Sequence, residues 1–383
     1  MKSFLEKTAK IVSWKPSARL VSVFAFLMLV IILVPLVRIV PYTVPWYDDY
    51  NYGSYARNGI ELYGGVCGAV KGAADCVRTQ WYAWQGTYSS IFFMALMPAV
   101  WGEDKYFLGP LFIFALLILG VFALVKVLVR DVLGGNRYSC LTLQSVTASV
   151  VLMFIYTAKT GFYWYNAGIH YVGMHAVAML LIAAAIKLLT AKKKQTVWLF
   201  LPFSMLFAFV AALSFCLYAS GFTPSLYAMG HGGLSRTLNA VKMTWQLLLI
   251  LNEVYFLGWL QQYLEKKSKN ISGDASWWFY ALAGVVMLLI FSASDNQAGN
   301  YSAYGAYYYV HTGEAYNFHE QYLERVEMLK SDASRVVLEP YRFKPWFLCM
   351  GDLSDNPDSE ENRAIADWYG KASVVVPDPD KQE

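Results

Sequence analysis

Seven apolar runs, each long enough to cross the roughly 30 Å hydrocarbon core that about 20 residues are needed to span, constrain this chain more than any other feature. They are Leu20–Val37, Tyr106–Val125, Leu141–Ala158, Ala167–Ile186, Thr196–Phe222, Met243–Leu264 and Trp277–Ala293. With 57% apolar and only 15% charged residues the composition is that of a membrane protein. An eighth run, Ile91–Trp101, is too short to cross and reads as an interfacial or re-entrant helix.

Charge sets the expected orientation. Lys and Arg crowd into segments 1–19, 126–141, 187–196 and 263–274 and thin out in 41–105, 159–166 and 223–242. By the positive-inside tendency the first group is cytoplasmic. Counting Ile91–Trp101 as a span would put Arg130, Arg137 and Lys192 to Lys194 on the wrong side. The expected fold is therefore an all-α polytopic membrane protein with about seven transmembrane helices and the N-terminus inside. The first run reads as a retained anchor. Residues 1–293 would form the transmembrane domain, with a long first outside loop at 41–105, and 294–383 a small α/β extracytoplasmic C-terminal cap. In that C-terminal part Ala315, Phe318, Tyr322, Val326 and Leu329 recur at helical spacing, "RVVLEPY" and "ASVVV" read as strands, and Ala364–Tyr369 suits a short helix.

The first outside loop carries "WYDDY", Trp46 to Tyr50, directly after the first run. Pro41 and Pro45 stiffen the exit and hold Asp48 and Asp49 near the headgroups. A carboxylate at that depth can take a proton from an attacking hydroxyl or hold a divalent cation, Mg or Mn, against a phosphate. The surrounding rings read equally as an interfacial aromatic belt or as a surface for sugar faces.

"YDDY" after the first span, "RTQWYAWQGTYSS" before the short helix and "YWYNAGIHY" at the fourth span together resemble the integral-membrane glycosyltransferases of the GT-C fold, and more narrowly a bacterial multi-spanning branch of them. The resemblance covers about residues 20–175. It implies that the acids of the first outside loop act as base or metal ligand, Asp48 in the leading role with Asp49 as its partner. It further implies a polyprenyl-phosphate sugar donor, a glycan or lipid acceptor and a place in the bacterial plasma membrane. Two features depart from the family: Thr87 stands where relatives often carry Arg after Trp84-Gln85-Gly86, and the chain is short.

A phosphate then needs other donors. "GFTPSLYAMGHGGLSRTLN" offers His231 and Arg236 beside approachable glycine amides, and Arg57 and Arg78 compete for the role. Trp81, Trp84, Asn166 and His170 complete the expected substrate-binding set. Glu253, near the middle of the sixth run, reads as a helix-packing contact or as the centre of a transporter or assembly factor.

Five histidines without HExxH or Cys-x-x-Cys give no zinc signature. Cys67 and Cys76, flanking a Gly/Ala-rich stretch, are expected to form a disulfide in an oxidising compartment. A net charge of +4, carried by the inside segments, gives no ground for a nucleic-acid partner.

Overall fold

The computed structural model describes residues 16–83, 87–191, 211, 214–233, 235–267, 284–285 and 301–378. Its first helix, α1 (Ala18–Arg38), begins where the Ser17 hydroxyl accepts from the Leu20 amide at 3.2 Å, a side-chain N-cap. A short 3-10 turn, Val40–Tyr42, then leads into α2 (Asp48–Tyr63) and α3 (Gly65–Ala83). The short helix α4 (Tyr88–Ala95) and a 3-10 turn at Pro98–Trp101 form the eighth apolar run, and neither piece is long enough to cross a bilayer.

Next come α5 (Leu108–Lys126), α6 (Arg137–Met153), α7 (Met174–Ala191), α8 (Thr223–Met229) and α9 (Ser235–Lys267). Among the described residues three helical stretches are long and apolar enough to cross a membrane: Ala18–Tyr42, Glu103–Val132 and Tyr165–Lys187. They supply the chain's membrane character, and they are fewer than the seven runs. Two of the other described runs are broken as continuous apolar helices. The helix α6 has 17 residues, about 25 Å at 1.5 Å per residue, and stops at Met153 where the run was expected to continue to Ala158. Along α9, Asn239, Gln246, Asn252 and Glu253 interrupt the apolar face. The run Trp277–Ala293 and most of Thr196–Phe222 lie outside the described residues.

Those polar residues of α9 bind neighbours. Asn239 accepts from the Thr157 amide at 2.9 Å, and Gln246 donates to the Phe154 carbonyl at 2.6 Å. They satisfy backbone groups where α6 has ended, and they fix the start of α9, with Arg236, against the segment that follows α6.

The pairing of α2 with α3 depends on small side chains. A Cβ added at Gly68 would lie 2.3 Å from the Gly59 carbonyl oxygen, and one at Gly72 would lie 2.0 Å from that of Tyr55. Only glycine permits this approach. Gly68, Ala69, Gly72, Ala73 and Cys76 form the buried stripe of α3.

That stripe corrects the expected disulfide. Cys67 is exposed, Cys76 is buried, and both are free thiols. Nine residues along one helix amount to about two and a half turns and about 13.5 Å, so the two side chains face opposite ways. A disulfide needs Cα atoms within about 7 Å.

The C-terminal segment comprises α10 (Ser302–His311), α11 (Glu314–Lys330), β1 (Arg335–Val337), α12 (Glu360–Tyr369) and β2 (Ser373–Val375). The strands pair in parallel, Val336 opposite Val374, with α12 in the connection. On α11, Ala315, Phe318, Tyr322, Val326 and Leu329 are all buried, as their spacing predicts. The Arg325 guanidinium, also buried, pairs with Asp352 at 2.8 Å and stacks on Tyr341 at 3.4 Å. The segment rests on the first loop: Tyr50 meets Trp368 at 5.4 Å between ring centroids, and Glu103 pairs with Lys330 at 2.9 Å and accepts from the Tyr369 hydroxyl.

Mass spectrometry of peptides cleaved without reduction should find Cys67 alkylated and no Cys67–Cys76 linkage. A linked peptide would show that α3 is not continuous between them.

Candidate functional site

Chain geometry just after α1 decides where the two acids go. Thr43 closes the turn by donating from its hydroxyl to the Val40 carbonyl at 2.7 Å. The backbone of Tyr47 then takes φ 29° and ψ −88°, the sole positive φ of a non-glycine among the described residues. Such a conformation costs on the order of 1–3 kcal/mol and persists only where its surroundings enforce it. Here it turns the chain into α2, whose first two residues are Asp48 and Asp49. Carboxylates in a first helical turn are favoured by the helix dipole.

The two neighbours have opposite environments. Asp49 is wholly buried. Its Oδ2 accepts from the Trp46 amide at 2.9 Å and from the Tyr106 hydroxyl at 2.7 Å, and its Oδ1 accepts from the Asn166 amide at 3.1 Å. The Tyr106 oxygen in turn accepts from the Tyr165 amide at 2.9 Å. Desolvation pushes the Asp49 carboxyl up to about 7 from an ordinary 3.8, and it outweighs the three donors, which act the other way.

Asp48 is only half buried, its side chain 24% exposed, and its Oδ2 lies 3.8 Å from the Arg236 guanidinium. Burial raises its carboxyl as well, Arg236 opposes that shift, and Glu360 and Glu361 add to it. Asp48 lines an open cavity of about 660 Å³ together with Tyr47, Asn51, Tyr52, Tyr55, Gln80 and Glu360. The Tyr47 hydroxyl donates to Glu360 at 2.5 Å. The wall thus combines aromatic faces, side-chain amides and carboxylates.

Arg236 stands at the start of α9, 5.8 Å from the Trp164 ring centre. The Trp164 indole N–H, both amide atoms of Asn166 and the His170 Nδ1 are buried without a partner among the described residues. Polar atoms left so are costly unless something else binds them. The His170 ring lies against Tyr171, centroids 4.5 Å apart.

The expected residues therefore divide. Asp48, Asp49, Asn166 and Arg236 come together, with His170 on the adjoining turn. Arg57 is engaged elsewhere, donating to the Trp368 carbonyl at 2.8 Å with its guanidinium 4.6 Å from the Trp368 ring centre. It holds the C-terminal segment against α2. Arg78 and Trp81 are exposed on α3, and His231 is exposed, its Nδ1 accepting from the Gly233 amide at 3.2 Å. Trp84 lies outside the described residues. Glu253 is partly exposed on α9, well along the helix from Arg236.

Among the described residues the site offers few free ligands for a divalent cation. Asp49 already uses both oxygens on protein donors, Asp48 already faces a cation, and no group of three or more candidate ligands occurs among the described residues.

Several residues at the site carry no signal in the sequence. Tyr106 reads as the first residue of a span, and Glu360 belongs to a distant segment of the chain. Tyr52, Asn51 and Gln80 become recognisable only once α2 and α3 are known to be helices that share a face with Asp48.

No known protein family, curated protein or solved structure matches the chain.

The Asp49 environment has a pH signature. Between about pH 4 and about pH 7 the folded chain retains a proton at Asp49 that the unfolded chain has released. Stability contributed by that proton is present at low pH and is lost as pH rises through this window. The thermal midpoint of the wild type should therefore fall relative to that of Asp49→Asn as pH is raised from about 4 to about 7. A constant difference between the two proteins would contradict the buried, raised carboxyl.

Proposed function

We propose that the chain is a polytopic membrane glycosyltransferase that moves a sugar from a polyprenyl-phosphate donor to an acceptor hydroxyl of a glycan or lipid. Its place is the outer face of a bacterial plasma membrane, with the C-terminus on the outer side. The reading rests on one observation above the rest: Asp48, close behind the first apolar helix, projects into an open aromatic and polar cavity with a guanidinium beside it.

In this mechanism Asp48 takes the proton of the acceptor hydroxyl as its oxygen bonds to the anomeric carbon. The bond between that carbon and the phosphate oxygen breaks, and the polyprenyl phosphate leaves with the electron pair. Arg236 is placed to receive the growing charge on phosphate. It also answers the departure at Thr87, supplying from the start of α9 the cation that the second motif lacks. Asp49 does not reach the reacting atoms. Its role is positional, since it ties Trp46 and the first turn of α2 to Tyr106 and Asn166. The raised carboxyl of Asp48 suits a base.

Asp48→Asn keeps the shape of the side chain and removes the base. Transfer of labelled sugar by membranes carrying it should fall by about 10²–10⁴ with the protein's membrane level unchanged. Glu253→Gln should leave transfer near wild type. The reverse pattern, with full activity in Asp48→Asn and none in Glu253→Gln, would move the function to α9 and to the transport or assembly class.

A further inference from the structure

A second cavity, of about 760 Å³, opens between α1 and α10. None of its lining residues belongs to the cavity at Asp48. One wall follows α1 from Met28 through Ile31 and Val34 to Arg38. Ten residues of helix make about 15 Å, half of the roughly 30 Å hydrocarbon core. The helix itself, 21 residues and about 31 Å long, matches the full core. Arg38 therefore stands at one headgroup level and Met28 at mid-bilayer, and the groove has the depth of a single leaflet.

The chemistry of the wall changes along that depth. Met28, Ile31 and Val34 are 44%, 63% and 49% exposed, which leaves a contiguous apolar surface that no described part of the chain covers. At the helix end Arg38 is exposed, and none of the described ion pairs uses it. The opposite wall is supplied by α10, where the rings of Tyr307 and His311 stack 5.2 Å apart at 10° and add hydrogen-bonding groups.

From this we infer that the groove is a binding site for one anionic glycerophospholipid, an acyl chain lying along Met28 to Val34 and the phosphate at Arg38. Charge complementarity selects the occupant. A cation held at the membrane surface attracts anionic headgroups over zwitterionic ones by about 1 kcal/mol. Such a lipid would join α1 to α10 and so brace the C-terminal segment against the first membrane helix. The inference needs the bilayer but not the transfer reaction, and it would survive the failure of the proposed function.

The full chain, purified in mild detergent and offered equal phosphatidylglycerol and phosphatidylcholine with identical acyl chains, would be examined by native mass spectrometry. One lipid should be retained, with phosphatidylglycerol preferred about fivefold. Arg38→Gln should abolish the preference, Arg38→Lys should keep it, and Ile31→Trp, which fills the groove, should lose the retained lipid, while all three variants melt as the wild type does. Equal retention of both lipids by the wild type, or an undiminished preference in Arg38→Gln, would overturn the proposal. Displacement of the lipid by inorganic phosphate alone would also overturn it, by reducing the site to an anion contact. Disulfide-linked dimers formed through Ile31→Cys would assign the groove to a second copy of the chain instead.

Discussion

Three stretches that are far apart in sequence, the exit of α1, the start of α5 and the approach to α7, converge on the carboxylate of Asp49. It receives the amide of Trp46, the hydroxyl of Tyr106 and the amide of Asn166 in the chain's interior. Each of those donors would be costly to bury alone, and a buried carboxylate would be costlier still. Together they satisfy one another. The strained Tyr47 sits against that knot: the chain turns sharply there, one residue before Asp48, and α2 starts with Asp48 and Asp49.

The contrast between adjacent acids is what the proposed transfer would use. The inner one is locked and structural, and the outer one is raised by partial burial, opposed by Arg236 and open to a cavity. A lone carboxylate facing solvent would be too weak a base to matter, and a second locked one could not meet a substrate. In the proposed reaction, holding them next to each other would let one residue fix the geometry that the other uses. The C-terminal segment takes part, since Glu360 lines the same cavity and Arg57 on α2 holds the Trp368 carbonyl.

How much of this the sequence carries depends on the range of the interaction. Periodicity marks the buried face of α11 and the strands around α12, because those patterns are local. The acids after the first span stand out for the same reason. Chain pairing is not local. The Gly/Ala stretch between Cys67 and Cys76 reads as a loop that a disulfide could close, yet it is a helix whose small residues let α3 lie against α2. Arg57 reads as a phosphate contact because the partner that holds its guanidinium, Trp368, lies on the distant α12; the nearby Glu61, 3.6 Å away, does not point to that role. Apolar length likewise does not show where a helix breaks: α6 ends at Met153, and α9 interrupts its apolar face with polar residues that bind backbone left unpaired beyond α6.

The central claim is that Asp48 is the reactive carboxylate and Asp49 the buried anchor, and chemical modification addresses both halves at once. Membranes treated with a carbodiimide and a small amine, with labelled sites located by peptide mass spectrometry, should show Asp48 modified and Asp49 untouched. Transfer should decline in step with the occupancy at Asp48, and donor should protect that residue. Modification of Asp49 as readily as Asp48, or full transfer with Asp48 blocked, would contradict the account.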